Sequence, residues 1–488
     1  MAERASPRRD LDRDGVWLPP AVFLLVCAMV VAAGPRILDD PDTYSHVAVG
    51  QWMIAHAAVP HRDVFSFSMR GMPWVPDEWL SEVALAWIHA HLGWDGSVLA
   101  TGVAFAAALA LLARALQRTL DPIYALVAVV AAWGMCFPHI TARPHVFGLP
   151  LLVIWTQALV AARQADRAPS CWLIAVMALW ANLHGGFILG LGLAGLFAGE
   201  ALYDAADVRA ALRAARGWGL FLALATLAAC ATPNGVAGLL LPLQLVRMEF
   251  AMSMMDEWQS PNFQQLQPLE LWLMLALLGT LSLGLRLPLT RIVMLLALLH
   301  MALLHKRFAE SLGLAAPLLV APLLAPQLPR LALPGLGRRL GGLDRKLASL
   351  PGLMLFGVLA SALALAALRI GVTHEKSRFA PAAALAAVAQ HHVGGPVFNA
   401  LQFGSYLIFS GIAPFIDGRV DMYGDAFVKR YATASELPGL LEQYKITWTL
   451  LDPPDPRAAL LDQLPGWRRL YGDDIAVVHV REDALAVP

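Results

Sequence analysis

The sequence predicts a polytopic α-helical membrane protein, with about eleven transmembrane helices and a C-terminal extracytoplasmic α/β domain. Three observations predict it. Hydrophobic residues make up 58% of the 488 residues and charged residues 15%, with a mean hydropathy of +0.59; a soluble domain carries roughly 25% charged residues. Apolar stretches long enough to cross a hydrocarbon core of about 30 Å recur through the first three quarters of the chain. Beyond residue 371 the charges return and alternating patterns replace the apolar runs. So little charge cannot cover a soluble surface, which excludes a soluble enzyme, a disordered chain and a nucleic-acid binder.

The predicted spans lie near 17–34, 97–113, 122–138, 146–162, 169–182, 187–203, 217–231, 271–285, 290–304, 309–325 and 349–369. The first is too long for a signal peptide and no small-residue cleavage site follows it. Orientation follows from Lys and Arg in short loops. Arg4, Arg8, Arg9 and Arg13 place the N-terminus in the cytoplasm. Alternate loops then collect Arg114, Arg118, Arg163, Arg167, Arg209, Arg213, Arg216, Arg286 and Arg291, and finally Arg330, Arg338, Arg339, Arg345 and Lys346 in a Pro/Gly/Arg-rich linker, 326–346. The opposite loops hold only Arg36, Arg62, Arg70, Arg143, Arg247, Lys306 and Arg307. The net charge of zero, Lys+Arg 36 against Asp+Glu 36, is therefore a cytoplasmic excess of cations cancelling an excess of acids elsewhere.

Two units follow: a transmembrane unit, 1–371, with a long first outer loop at 35–96, and a soluble periplasmic α/β domain, 372–488. Within the latter, Trp448–Leu451 and Ile475–Val480 alternate as strands do, and Ala380–Gln390 reads as a helix. Cys27, Cys136, Cys171 and Cys230 sit in apolar runs without metal-site spacing and read as buried hydrophobes.

The polar motifs fall on the outer side. Asp39, Asp40, Asp42 and His46 follow the first span, and the same loop continues through Asp63 to Asp77 and Glu78. Arg143 and His145 cap the third and fourth spans, Asn182 and His184 precede a Gly-Gly, Asp256 and Glu257 precede the eighth span, and His305, Lys306 and Arg307 separate the ninth from the tenth. Polar residues at a membrane edge are costly and mark function by default. Asp40 and Asp42 suit a general base, a divalent-cation site with oxygen ligands (Mg or Mn), or the cap of a helix from Thr43 to about Ala55. Arg143, Lys306 and Arg307 suit either a phosphate or topology-marking interfacial cations. Asn182 and His184 suit a cavity wall or backbone satisfaction at a helix break. Asp77 and Glu78 also read as a helix start.

The run Asp40-Pro-Asp42-Thr-Tyr-Ser-His46, with Val59-Pro-His-Arg-Asp63-Val-Phe-Ser-Phe67, Asn182-Leu-His184-Gly-Gly and Phe415-Ile-Asp417-Gly-Arg419-Val-Asp421-Met-Tyr423, resembles the C-type integral-membrane glycosyltransferases, in a poorly characterised bacterial branch. The resemblance implies a multi-pass protein of the bacterial inner membrane that moves a sugar from a polyprenyl-phosphate-linked donor to a glycan, lipid or protein acceptor on the outer face. It implies Asp42 as the base with Asp40 its partner, and Arg143, His145, His305, Lys306 and Arg307 around the donor phosphate. His46, Asp77, Glu78, Asn182, His184, Asp256 and Glu257 would line the cavity, and Gln402, Tyr406, Asp417, Arg419 and Asp421 would cover it and select the acceptor. No cofactor is required with certainty, and a metal, if used, would sit on Asp40 and Asp42. The C-terminal domain lacks the Trp-Trp-Asp motif of oligosaccharyltransferases, which argues against asparagine-linked transfer. The competing function is transport or flipping of a lipid-linked glycan, which would scatter polar groups through the bilayer and on both faces.

Overall fold

The computed structural model describes residues 18–245, 247–329, 350–371 and 377–484. The N-terminal arginines, most of the 326–346 linker and the boundary expected at 371/372 lie wholly or partly outside these residues. Each of the predicted spans falls on a helix. The membrane part runs α1 (Leu18–Ile37), α2 (Asp42–His56), α3 (Trp79–Gln117), α4 (Pro122–Cys136), α5 (His145–Gln164), α6 (Trp172–Leu183), α7 (Phe187–Tyr203), α8 (Val208–Ala229), α9 (Val236–Leu245), α10 (Glu249–Ser253), α11 (Pro268–Leu283), α12 (Leu289–Leu304), α13 (Ala309–Leu324) and α14 (Leu350–Ala367). Among the described residues, 5 helical stretches are long and apolar enough to cross a membrane, with shorter apolar helices between them. The chain is a multi-pass helical membrane protein.

Within the loop expected at 35–96, α3 starts at Trp79, at the helix start read from Asp77 and Glu78, and spans 39 residues, about 58 Å at 1.5 Å per residue and nearly twice a bilayer core. Gly93, at φ 62, breaks it into a leading helix and the span proper, a conformation glycine adopts without penalty. The cysteines meet the expectation in part. Cys27 and Cys136 are buried, Cys230 is half-buried and Cys171 is exposed, because it sits at the N-cap of α6, at the end of the helix rather than on its packed face.

The membrane body packs around Phe105, Trp155, Phe187 and Phe197. α2 lies along α3, and Gly50 permits the approach: a Cβ there would overlap the backbone carbonyl of Glu82. Away from the loop motifs, buried Glu200 binds Arg291 at 2.7 Å and Arg163 at 3.4 Å, closing α7, α12 and α5 together.

The C-terminal residues form α15 (Ala382–Gln390), β1 (Val397–Asn399), α16 (Gly404–Phe409), α17 (Val420–Ala432), α18 (Leu437–Gln443), β2 (Trp448–Leu451), α19 (Pro456–Leu461), β3 (Trp467–Gly472) and β4 (Val477–Arg481). The sheet order is β1-β2-β4-β3, with β1 parallel to β2 and the other pairs antiparallel. β2 is buried along its whole length, as an apolar central strand should be. Beneath the sheet a second cluster forms around Phe398, Phe403, Phe415 and Tyr431.

Candidate functional site

The loop motifs converge. A cavity of about 120 Å³ is lined by Asp42, Ser45, His46, Trp74, Pro76, Asp77, Glu78, Glu82, Arg143, Gly418, Arg419 and Asp421. It lies between α2, the start of α3, the α4–α5 turn and the α16–α17 connection. The residues that close it from the C-terminal unit are Gly418, Arg419 and Asp421.

Asp40 and Asp42 flank Pro41 at the start of α2. The Asp42 N–H, at the first position of α2, donates to Asp40 Oδ1 at 2.9 Å, and both side chains are engaged elsewhere as well. Arg143 reaches Asp42 Oδ2 at 2.9 Å, Asp40 Oδ2 at 3.4 Å and Glu257 Oε2 at 2.8 Å. Glu257 in turn holds Arg307 at 3.0 Å, whose guanidinium lies over the Trp258 ring at 4.8 Å. Burial raises the Asp40 carboxyl against the lowering pull of Arg143. Burial also works on Glu257, but Arg143 and Arg307 outweigh it and bring it down to about 2.

Behind the cavity, acids and histidines alternate. His46 Nδ1 lies 3.2 Å from Glu82 Oε1 and 3.9 Å from Glu78 Oε2. Burial opposes its charge, yet the hydrogen bond to Glu82 leaves it above the ordinary imidazole value. His184 Nδ1 accepts the Gly186 N–H at 3.0 Å, which puts its proton on Nε2, 3.5 Å from Glu78 Oε1. Burial and the nearby arginines lower His184 to about 3, so it is neutral. Burial raises Glu78 and Asp421 to about 6 and Asp77 well above the usual carboxylate range. Glu78 and Asp421 add to the rise at Asp77. Deeper, His145 Nε2 lies 3.7 Å from buried Glu310.

Several expected site residues have other partners. His305 hydrogen-bonds the Trp258 carbonyl through Nδ1 and packs against Phe308. Lys306 pairs with the exposed Asp256 at 2.6 Å. Asn182 accepts from Trp79 Nε1 at 2.8 Å and donates to the Ala178 and Ala231 carbonyls, fastening α6 to α3. Gln402, on the short turn Leu401–Phe403, is not on the cavity wall. Tyr406 packs edge-on against Tyr44 with centroids 4.9 Å apart.

Asp417 and Arg419 form a buried clasp. Arg419 binds Asp63 Oδ1 at 2.8 Å and Asp417 Oδ2 at 2.7 Å, and its guanidinium lies over Trp74 at 4.7 Å and Phe65 at 5.1 Å. Tyr423 donates to Asp417 Oδ2 at 2.9 Å. The first loop is thereby locked to the C-terminal unit. Sequence reasoning passed over Asp63 and Gly418 as site members, though both stand in the quoted motif runs, and Glu82 altogether. Glu82 was within reach, since it stands four residues beyond Glu78 on the same helix.

Asp40 and Asp42, the place for a divalent cation if one were used, share the Arg143 guanidinium. Among the described residues, no three His, Cys, Asp or Glu side chains converge as a metal set would. Two carboxylates already held by one guanidinium do not fit a metal. What it offers is a carboxylate beside a doubly held guanidinium, at the wall of a small acidic cavity.

The fold is similar to those of two solved proteins. It is similar to the structure of ArnT from Cupriavidus metallidurans bound to undecaprenyl phosphate, with a TM-score of 0.51 and 15% identity over 96% of this chain and 98% of that one. It is also similar to the archaeal oligosaccharyltransferase AglB from Archaeoglobus fulgidus in complex with an inhibitory peptide and a dolichol-phosphate, with a TM-score of 0.50 and 9% identity over 89% of this chain and 69% of that one. No protein-family model matches the chain, and no curated protein matches it.

Proposed function

We propose that this protein is a membrane glycosyltransferase that moves a sugar from a polyprenyl-phosphate-linked donor to an acceptor on the periplasmic face of a bacterial inner membrane. The observation that carries the reading is the Asp42–Arg143 pair, 2.9 Å apart at the cavity wall. Support comes from the likeness in fold to ArnT and AglB, each solved with a lipid phosphate. Sidedness rests on the cation asymmetry of the loops, which puts the N-terminus inside and the C-terminal unit outside.

The reaction needs a base and a place for negative charge. Asp42 takes the proton of an acceptor hydroxyl as its oxygen attacks C1 of the sugar. The bond from C1 to the phosphate oxygen breaks, and its electron pair stays on the phosphate. Arg143 stabilises that charge, aided by Arg307, which shares Glu257 with it. A donor phosphate thus competes with Glu257 for both guanidinium groups. Lys306, His305 and His145 stand farther back, paired with Asp256, the Trp258 carbonyl and Glu310.

The test begins with mass spectrometry of lipids that co-purify with the protein, which names sugar and carrier together. Asp42→Asn should then abolish transfer from that donor while the protein stays folded; normal turnover by the folded variant would refute the assignment.

A further inference from the structure

The Asp42 carboxylate is contacted from two sides. Arg143 takes Oδ2. Oδ1 faces the C-terminal unit, where Ser405 Oγ donates to it at 3.4 Å. A Cβ at position 418 would overlap Oδ1, so any larger residue there must push the carboxylate aside. Neither Ser405 nor Gly418 brings a charge to this second contact. It is a close approach of backbone to a carboxylate, the situation in which a glycine is required for space rather than for its φ angle.

The segment carrying Gly418 is held rigidly on both flanks. Upstream, buried Asn399 donates to the Ile416 carbonyl at 2.8 Å and accepts the Phe415 N–H at 2.8 Å. Gly404 lets α16 pack directly under Ile416 and Asp417, where a Cβ would overlap both. Downstream, Arg419 is anchored in the Asp63–Asp417 clasp. Ser405 is fixed as well, since α16 packs on α2 through Tyr406 and Phe409 against Tyr44, at 4.9 and 5.4 Å. A strap pinned at 416 and 419 can set the position of whatever it presses on at 418.

We propose that Gly418 and Ser405 are positioning residues for the Asp42 carboxylate, so that the first-loop base takes its working orientation only when the C-terminal unit is seated. The role of Asp42 as base rests on the reading above; the positioning contact itself does not. The C-terminal unit thereby becomes part of the catalytic apparatus, not solely a cover. Gly418 touches neither donor nor acceptor in this role and acts through Asp42.

The experiment uses the full-length protein in nanodiscs, with two readouts. The first is labelling of Asp42 by a water-soluble carbodiimide and glycine ethyl ester, mapped by peptide mass. The second is transfer from the co-purified donor lipid, resolved into kcat and KM. Gly418→Ala should raise Asp42 labelling at least tenfold. It should also lower kcat about 100-fold, the scale of a 1 Å misplacement of a reacting group, with donor KM unchanged. Ser405→Ala, which adds no bulk, should move both readouts in the same direction by a smaller factor and covers the case in which Gly418→Ala misfolds. Gly439→Ala, on α18 with open space around it, should change neither. Wild-type labelling and kcat in both folded site variants would overturn the proposal. A rise in Asp42 labelling in variants of a protein that transfers no sugar would support the positioning contact and sink the transferase reading.

Discussion

Replacing Arg419 by methionine keeps the length of the side chain and removes its charge. In the wild type the guanidinium is 10% exposed, and the Asp63 and Asp417 side chains it binds are 0% exposed. Breaking a buried pair from one side costs about 3–5 kcal/mol, because the remaining charge has no compensation. Here two carboxylates are stranded, but neither is left bare. Asp63 keeps the Phe65 and Ser66 N–H donors and the Ser66 hydroxyl. Asp417 keeps the Tyr423 hydroxyl and the backbone N–H of residue 419. The cost should therefore sit near the lower end, about 3 kcal/mol, with the lost stacking on Trp74 and Phe65 contributing about 1 kcal/mol within it. That corresponds to a factor of roughly 100 in the equilibrium between seated and unseated forms of the clasp. Hydrogen exchange at 61–74 and 415–423 reads this directly: amides in both segments should exchange about 100-fold faster in Arg419→Met, while those of α5 and α7 stay as they are. Arg419→Lys should fall between, since a point charge cannot fork across two carboxylates. Exchange within threefold of wild type in both segments would show that the clasp does not hold the two units together.

Further consequences concern charge. Arg143→Gln should weaken binding of undecaprenyl phosphate, measured by native mass spectrometry, at least tenfold; equal binding would remove Arg143 from the phosphate site. Glu78 rises from 4.5 to about 6 through burial, so its protonated form favours the folded state. The stability it contributes is complete below about pH 4.5 and is lost as pH rises through 6. Glu78→Gln should accordingly gain melting temperature on wild type between pH 4.5 and 6 and hold the gain above, whereas a pH-independent difference would contradict the burial argument. Glu257, held down to about 2 chiefly by Arg143 and Arg307 against its burial, runs the other way: its contribution is present above pH 4.5 and lost toward pH 2. In the membrane body, Arg291→Met removes the shortest partner of buried Glu200 and leaves it Arg163 and the Thr290 hydroxyl; it should destabilise by about 3 kcal/mol, with Glu200→Gln added to it restoring part of the loss. Chemical denaturation in detergent compares the single and double variants.

The helical segments were legible because burying a backbone in lipid demands long apolar runs, and composition records those runs directly. The strand at Trp448–Leu451 was legible for a similar reason, while β1 and β3 were not: the first is three residues long and the second carries exposed Arg468 and Arg469. At the site, residue types announced themselves but partners did not. Asp42 and Arg143 stand out as polar groups in apolar surroundings. That Arg143 would bind Asp42 rather than mark topology depends on where the α4–α5 turn meets α2, a matter of helix packing. His305 and Asn182 carried the same kind of signal, yet they satisfy backbone carbonyls. A lone polar residue at a helix end is equally suited to either task, and only its neighbours decide.

By itself, the amino-acid sequence determined that this is a multi-pass membrane protein with a polar, charge-bearing C-terminal unit, since hydropathy and charge are sums over local residues that need no knowledge of contacts. The tertiary structure alone decided which of its polar groups meet. Asp63 and Arg419 lie 356 positions apart and form one clasp; Asp42 and Ser405 lie 363 apart and share a hydrogen bond; and Gly418 proves to matter for the side chain it lacks. Contacts across such separations are set by how helices and sheet pack as bodies, and no local pattern in the chain encodes that.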